Sequence, residues 1–288
     1  MTLPERLVHR RRPFRASLAF LHPANVRRDP FSMVLAYRTA LWRTTISEVR
    51  QRYAGSTIGL FWVALAPGLL LALYACVFIY IYKTRPPGMD TTTYLVQLFA
   101  GLLPFLGFSD GLLSGAGAVI SNRGVLLNTV YPAELVSLRA VLTGHAVAVL
   151  GLGLVSALIL AVGHGSLGLL LLPFVLALQV MFVCGIAWPL SLASLVLRDI
   201  QQVLAFVTTA LMIVSPIAFA PQAAPGPLRL LVYLNPLSYY ILTCQSLAVS
   251  GTLPSIKIVA IMLALSFGAF FVGFRLFQRG KLAFWDHA

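Results

Sequence analysis

The chain has 288 residues, of which 59% are hydrophobic and 10% are charged, and its mean hydropathy is +0.89. Soluble globular domains are about half apolar and a quarter charged, so this composition excludes a water-soluble enzyme or binding module. The formal net charge is +13, but the arginines cluster ahead of the first long apolar segment, where they suit anionic lipid headgroups and not nucleic acid.

An amphipathic helix is predicted near the amino terminus. Asp29 and Pro30 are typical of an N-cap and a first helical position, and the helix is expected to cover about residues 31–51. Arg43 and Arg50 fall on its polar side. The apolar side, which Arg38 interrupts, contains Val34, Leu35, Leu41, Trp42, Ile46, Val49 and Tyr53. This pattern predicts a helix that lies in the membrane interface, with a surface helix on a soluble core as the alternative.

Six apolar runs follow, each long enough to cross a bilayer. They cover residues 57–82, 94–120, 135–162, 167–197, 200–220 and 256–277. The second run contains Pro104, Asp110 and four glycines, which predicts a bent or broken helix. Asp110 either lines a water-filled path or marks a helix break near the outer surface. The predicted fold class is therefore an all-α integral membrane protein with six transmembrane helices.

The distribution of basic residues predicts the orientation of the chain. With six spans, most of the loop arginines and lysines fall on the side of the amino terminus, and four fall on the other: Lys83, Arg85, Arg229 and Lys257. Because cytoplasmic loops are enriched in basic residues, both termini are expected in the cytoplasm. Residues 1–54 are then a cytoplasmic segment with the interface helix, and residues 55–288 are the transmembrane domain.

Residues 221–253, between the fifth and sixth runs, are too polar and proline-rich for a seventh span. They contain two short apolar stretches, residues 228–234 and 237–249, which Asn235 and Pro236 separate. A segment of this length and apolarity predicts two short helices that dip into the outer leaflet as a re-entrant hairpin. The alternative is an irregular outer loop.

No P-loop, HExxH, GxSxG or paired CxxC motif occurs in the sequence, so catalytic and metal-binding residues are not expected. The single aspartate inside a span is thin support for ion-coupled transport. A separate ATP-hydrolysing chain is the simplest source of energy, and this chain itself needs no cofactor.

Four ordered stretches of the sequence resemble the permeases of polysaccharide-exporting ABC-2 type transporters. The matching residues are Arg52 to Ser56 with Gly59, Trp62 and Pro67; Gly101 to Pro104 with Phe108 to Asp110; Asn122 to Leu138; and Tyr233 to Leu237. The resemblance implies a homodimer that pairs with two ATP-binding subunits, which bind ATP and Mg. It implies export of a lipid-linked polysaccharide, such as capsule or O-antigen, across the bacterial inner membrane, with periplasmic export components as further candidate partners.

The resemblance also implies roles for particular positions. The interface helix would include Trp42, Arg50, Arg52 and Tyr53, and the loop between the second and third spans, residues 122–134, would couple to the ATP-binding subunit. The expected coupling contacts are Leu126, Leu127, Tyr131, Pro132 and Glu134. The basic or polar residue that often follows the coupling leucines in the family is Asn128 here, which weakens any specific contact assigned to that position. Glu134 has a competing role in complementing the dipole of the third span.

Two further sets of residues are candidates for the transport path. A glycan channel needs aromatic faces together with hydroxyl or amide groups, and the candidate lining residues are Tyr74, Phe78, Tyr82, Phe105, Phe108, Asp110 and Phe206. The hairpin is expected to form an outer gate with Asn235, Pro236, Ser238, Tyr239 and Tyr240. Two alternatives stay open: a permease that exports a drug or small lipid, and a membrane-embedded glycan transferase.

Overall fold

The computed structural model describes residues 29–77, 89–128, 131–161, 166–197, 199–223 and 225–285. This part of the chain is helical and contains no β-strand, in agreement with the predicted all-α class. Its α-helices are α1 (Pro30–Arg52), α2 (Trp62–Cys76), α3 (Thr91–Ser121), α4 (Arg123–Asn128), α5 (Ala133–Gly144), α6 (Ala146–Ala161), α7 (Leu172–Val196), α8 (Ile200–Val214), α9 (Gly226–Leu234), α10 (Pro236–Val249) and α11 (Ile256–Trp285). Short 3₁₀ turns precede α2, α7 and α9.

Four helical segments are long and apolar enough to cross a bilayer, which makes the chain a multi-pass membrane protein. They are Thr91–Ser121, Ala133–Ala161, Leu167–Val196 and Ile256–Lys281. Two shorter apolar helices, Ala64–Cys76 and Ile200–Val214, fall within the first and fifth predicted runs. All six predicted runs therefore contain apolar helix.

Helix α3 corrects the expectation of a broken second span. It is continuous over 31 residues with Pro104 inside it. A proline removes one backbone donor, and unpaired backbone groups inside a membrane need partners from the protein. The acceptor that Pro104 leaves unpaired is the carbonyl four residues earlier, at Ala100. The buried side chain of Gln179 on α7 donates to the carbonyl oxygen of Pro104 itself at 2.8 Å and so joins α3 to α7 at this turn. Asp110 lies within this unbroken helix, so its interpretation as a helix break near the outer surface is wrong.

The third and fifth spans also differ from their predicted form. The third is interrupted by a turn at His145, between α5 and α6. The fifth ends at Val214, six residues before the predicted end, because the residue before a proline is disfavoured in helical conformation. Ser215, which precedes Pro216, has ψ 140° and is extended.

Helix α1 begins as predicted, with the Asp29 side chain accepting a hydrogen bond from the backbone amide of Ser32 at 3.2 Å. It runs across the spans, because it contacts three of them along its length. The contacts are the Phe31 ring against Phe270 of α11, Glu48 against Arg139 of α5, and Arg52 against Asp110 of α3.

The N-cap of α3 is Asp90, whose side chain accepts hydrogen bonds from the backbone amides of Thr92 and Thr93. The Thr93 hydroxyl, which also donates to this carboxylate, is the main cause that lowers the pKa of Asp90 below its ordinary value. A charged cap therefore fixes the start of α3. This start is at the opposite end of α3 from α4.

Candidate coupling segment and outer hairpin

The predicted coupling segment, residues 122–134, covers α4 and the start of α5. Leu126 is buried, with 4% of its surface exposed, and Leu127 is in α4 with its side chain outside the described residues. Pro132 is the N-cap residue of α5 and is half-buried. The segment thus joins the end of α3 to the start of α5 through one short helix.

Helix α1 is fastened to both ends of the coupling segment. The hydroxyls of Thr44 on α1 and Tyr131 lie 3.5 Å apart. Arg139 on α5 forms an ion pair with Glu48 of α1 at 2.5 Å, and its Nη2 donates to the Asn122 side chain at 2.9 Å. Side-chain contacts therefore connect α1 to Tyr131 directly and to Asn122 through Arg139.

Glu134 lies inside the chain and not on a docking surface, since only 2% of it is exposed. Its Oε1 accepts hydrogen bonds from Gln278 at 2.9 Å and from Lys281 at 2.5 Å, both on α11. Its backbone carbonyl accepts a hydrogen bond from the indole of Trp188 on α7 at 2.9 Å. It also occupies the first turn of α5, where a negative charge complements the helix dipole.

The predicted interface-helix residues occupy different faces of α1. Leu35 and Trp42 are 63% and 67% exposed and lie on one stripe with Phe31, while Met33, Leu41 and Thr45 are buried against the bundle. The remaining predicted residues lie at the end of the helix, where Arg50 is exposed, Arg52 pairs with Asp110 at 2.7 Å, and Tyr53 is the C-cap. The exposed apolar stripe beside an arginine-bearing face is what a helix in the membrane interface presents to lipid.

The structure does not bring the candidate lining residues together on one surface. Phe105 and Phe108 are packed inside the chain with 3% and 2% exposure, and the Phe108 ring stacks on Phe182 of α7 at 6.4 Å. Phe206 on α8 is 75% exposed, and Tyr74 is half-buried. Phe78 and Tyr82 lie outside the described residues. Asp110 is bound by Arg52, whose Nη2 also donates to Ser114 at 2.9 Å.

The candidate gate residues surround the junction between α9 and α10, where Asn235 ends one helix and caps the next. Its Oδ1 accepts from the backbone amide of Leu237 at 3.0 Å, and its Nδ2 donates to Ser215 at 2.9 Å. The two predicted short helices are therefore present, and Asn235 with Pro236 separates them as expected. Ser238 and Tyr240 are buried, and the Tyr239 hydroxyl donates to the carbonyl of Tyr233 at 2.8 Å.

Gln245 holds α10 against two neighbouring elements and was not singled out from the sequence. Its side-chain amide lies 3.0–3.2 Å from the carbonyl oxygens of Gln97, Pro216 and Ile217. It also lines a cavity of about 320 Å³ with Gln97, Tyr233, Ser246 and Ser250. The sequence did contain a signal, because Gln245 places an amide side chain within the apolar stretch 237–249. Burying an amide in a membrane costs free energy unless the amide has hydrogen-bond partners.

Metal binding and thiol chemistry find no support in the described residues. Across residues 29–285, outside the segments that the structure leaves undescribed, no three His, Cys, Asp or Glu side chains are grouped so that they could hold a metal ion. Cys76, Cys184 and Cys244 are unpaired, and the last two are buried.

Comparison with known proteins adds a family and two relatives. The family described as "ABC-2 type transporter" matches residues 37–247. The O-antigen export system permease protein RfbA of Myxococcus xanthus is 25% identical over 233 residues, which are 80% of this chain and 88% of the relative. The polysialic acid transport protein KpsM of Escherichia coli is 25% identical over 198 residues, or 68% of this chain and 76% of the relative.

Proposed function

Because this chain belongs to the ABC-2 type transporter family, we propose that it is the permease of an exporter for a lipid-linked cell-envelope polysaccharide. The observation that carries the proposal is the extent of the family match, which reaches from α1 through the coupling segment into α10. One relative is named for O-antigen export and the other for polysialic acid transport. The resemblance in the four ordered sequence stretches points to the same substrate class.

The proposed assembly contains two copies of this chain and two ATP-binding subunits in the bacterial inner membrane. ATP and Mg are bound by the ATP-binding subunits, which dock on residues 122–134, and periplasmic components receive the glycan. Residues 1–54 stay on the cytoplasmic side with α1 in the interface, and residues 55–288 cross the membrane six times with both termini inside. The lateral course of α1 and its exposed apolar stripe support this placement.

A re-entrant course of α9 and α10 is part of the proposal, and their contacts support it. The end of α10 is near the outer start of α7, because a Cβ on Gly168 would meet the backbone of Gly251. Its other end carries Tyr240, whose hydroxyl lies 2.7 Å from that of Ser266. Ser266 is ten residues into α11, or about 15 Å along the helix, so α10 reaches well into the membrane.

The proposal is tested by reconstituting this permease with its ATP-binding subunits in proteoliposomes. We expect lipid-linked polysaccharide to stimulate ATP hydrolysis and to cross the bilayer only when ATP is present. Stimulation by drugs or short lipids, with no response to the glycan, would favour the first alternative. Modification of a lipid-linked sugar by the purified chain alone would favour the transferase.

Replacing Tyr131 with aspartate is expected to uncouple ATP hydrolysis from export. A charged side chain in the coupling segment removes the apolar ring from the proposed contact, and we expect glycan exported per ATP hydrolysed to fall at least ~5-fold. Tyr131→Phe keeps the ring and removes only the hydroxyl near Thr44, so it serves as the control with nearly normal export. Unchanged export by Tyr131→Asp would refute the coupling assignment.

Replacing Asn235 and Pro236 together with alanine is expected to make the resting complex leak ions. The change removes the cap of α10 and the hydrogen bond to Ser215 at the proposed outer gate. Conductance across planar bilayers containing the complex without ATP measures the effect. Val249→Ala, at the exposed far end of α10, is the control. Background conductance in the double variant would show that this junction is not the gate.

A further inference from the structure

We infer that α11 links the coupling segment to the outer hairpin, with Lys281 and Gln278 as positioning residues at one contact and Ser266 at the other. The inference rests on the proposed function and identifies how a movement at the cytoplasmic face reaches α10. It depends on three contacts of α11, each made with a different element.

The cytoplasmic contact is a buried charged one. Lys281 and Gln278 both donate to the same carboxylate oxygen of Glu134, at the end of the coupling segment. The side chains of Lys281 and Glu134 are 11% and 3% exposed, so water contributes little to solvating either charge. Separating such a pair leaves two uncompensated charges in a poorly hydrated site, and α11 therefore follows Glu134 when the coupling segment moves.

The outer contact joins α11 to the start of the hairpin helix. The Ser266 hydroxyl donates to the carbonyl of Met262 at 2.8 Å, so the Tyr240 hydroxyl is the donor in the 2.7 Å contact with Ser266. Both residues are fully buried. Because each polar group would lose its partner inside the membrane, a displacement of α11 at this level carries Tyr240 and the adjoining junction with it.

The third contact lies between these two and is a direct backbone contact with α7. A Cβ on Gly273 would overlap the carbonyl oxygen of Gly185, and a Cβ on Gly185 would overlap the backbone of Ala269. Small residues allow helices in a membrane to approach this closely. The Trp188 indole, which donates to the Glu134 carbonyl, packs on Phe270 and Phe274 on either side of Gly273.

The spacing of the three contacts makes α11 a lever. Gly273 is seven residues from Ser266 and eight from Lys281, or about 10 Å and 12 Å along an uninterrupted helix that has no proline. With the backbone contact at Gly273 as the fixed point, a pull on Lys281 tilts the helix, and the part of α11 that carries Ser266 moves in the opposite direction. Withdrawal of Glu134 at the coupling segment thus displaces Tyr240 at the proposed gate.

A double-mutant cycle tests the link between the two ends of α11. Lys281→Met removes the charge and keeps the length of the side chain, and Tyr240→Phe removes only the hydroxyl. We expect each variant to lower glycan exported per ATP several-fold, and the double variant to be no worse than the poorer single one. Effects that simply multiply in the double variant would show that the two contacts act independently and would overturn the inference.

Two further variants separate this role from a purely structural one. Exchanging the charges, Glu134→Lys with Lys281→Glu, restores the pair and is expected to recover most of the coupling that Lys281→Met loses. Gly273→Ala is expected to disturb coupling because it pushes α11 from α7, whereas Gly268→Ala on the same helix, where a Cβ meets open space, is expected to change nothing. Equal export by Gly273→Ala and Gly268→Ala would contradict the lever.

A distance measurement distinguishes failure of this inference from failure of the proposed substrate. A single spin label at Leu234, which is 68% exposed beside the junction, reports the separation of the two hairpins in the dimer once Cys76 is replaced by serine. We expect ATP to change this separation in the parent complex and not in Lys281→Met, although hydrolysis continues in both. If ATP changed the label separation but no glycan were exported, the proposed substrate alone would be wrong. If ATP changed the separation in Lys281→Met as much as in the parent, the lever alone would be wrong.

Discussion

Replacing Gly144 with alanine is expected to destabilise the packing of α5 against α3. A Cβ at this position would lie 2.5 Å from the backbone nitrogen of Gly111 and 2.6 Å from its Cα. Backbone atoms cannot rotate away as a side chain does, so α3 and α5 would have to separate along their contact. Overfilling a packed interior costs ~1–3 kcal/mol, and a clash with backbone belongs at the upper end. Thermal unfolding of the detergent-purified chain measures the loss.

The control for this prediction is Gly153→Ala on α6, where a Cβ meets nothing within 4 Å. Alanine has the higher helix propensity, so this control is expected to unfold at the same temperature as the parent or slightly above it. If Gly144→Ala unfolded at the same temperature as this control, the close approach of α3 and α5 at Gly111 would be refuted.

Replacing Gln245 with leucine is expected to destabilise the hairpin and the end of α8 together. Leucine fills a similar volume but cannot donate to the carbonyls of Gln97, Pro216 and Ile217. Leaving a buried acceptor without its partner costs ~1–3 kcal/mol, and more than one carbonyl is affected here. The expected result is a lower unfolding temperature and increased proteolytic cleavage within residues 215–225.

Gln202→Leu on α8 is the matched control, because that glutamine is exposed and surface substitutions usually change stability by less than ~0.5 kcal/mol. Retention of the parent unfolding temperature and cleavage pattern by Gln245→Leu would contradict the role of this amide. Gln245→Glu is a further check, because it keeps the shape of the side chain while removing the donors.

The elements that the sequence predicted well depend on neighbours within a few residues. Asp29 caps α1 as the pair Asp29-Pro30 indicated, and Asn235 with Pro236 separates α9 from α10 as expected, with Asn235 also capping α10. Both are local signals, since the capping side chain and the amide it binds are two or three residues apart. Hydropathy likewise located the four long helical segments and the two shorter apolar helices of the described residues, because lipid imposes apolar composition on any helix that faces it.

Some predictions needed correction because they depend on contacts between residues that are far apart in the chain. Pro104 indicated a break in the second span, but α3 is continuous there, and Gln179, 75 residues later, joins this turn to α7 through the Pro104 carbonyl. Glu134 was a candidate docking contact with a competing role in the first turn of the third span, while its partner Lys281 lies 147 residues away. Nothing local to either residue shows that such a partner exists, and these contacts follow only from the packing of the helices.

The aromatic candidates could not be sorted from the sequence. Helical spacing shows which residues share a face of a helix, but not whether that face contacts lipid, another helix or a channel. Phe105 and Phe108 are packed inside the chain, whereas Phe206 is exposed. In a soluble protein the apolar face is the buried one, but in a membrane both lipid-facing and packed positions are apolar. Tyr74, Asp110 and Phe206 therefore remain predictions as lining residues.

The ion pair between Arg52 and Asp110 has a consequence for the order in which the protein enters the bilayer. An aspartate at the centre of an inserting helix is opposed by about 2.5–3.5 kcal/mol, which weakens the tendency of that segment to leave the translocon. Arg52 precedes Asp110 by 58 residues and is synthesised before it. In the proposed topology α1 lies at the cytoplasmic leaflet before α3 is made, so we expect the Arg52 guanidinium to be in place when the Asp110 carboxylate is inserted and to offset part of this cost.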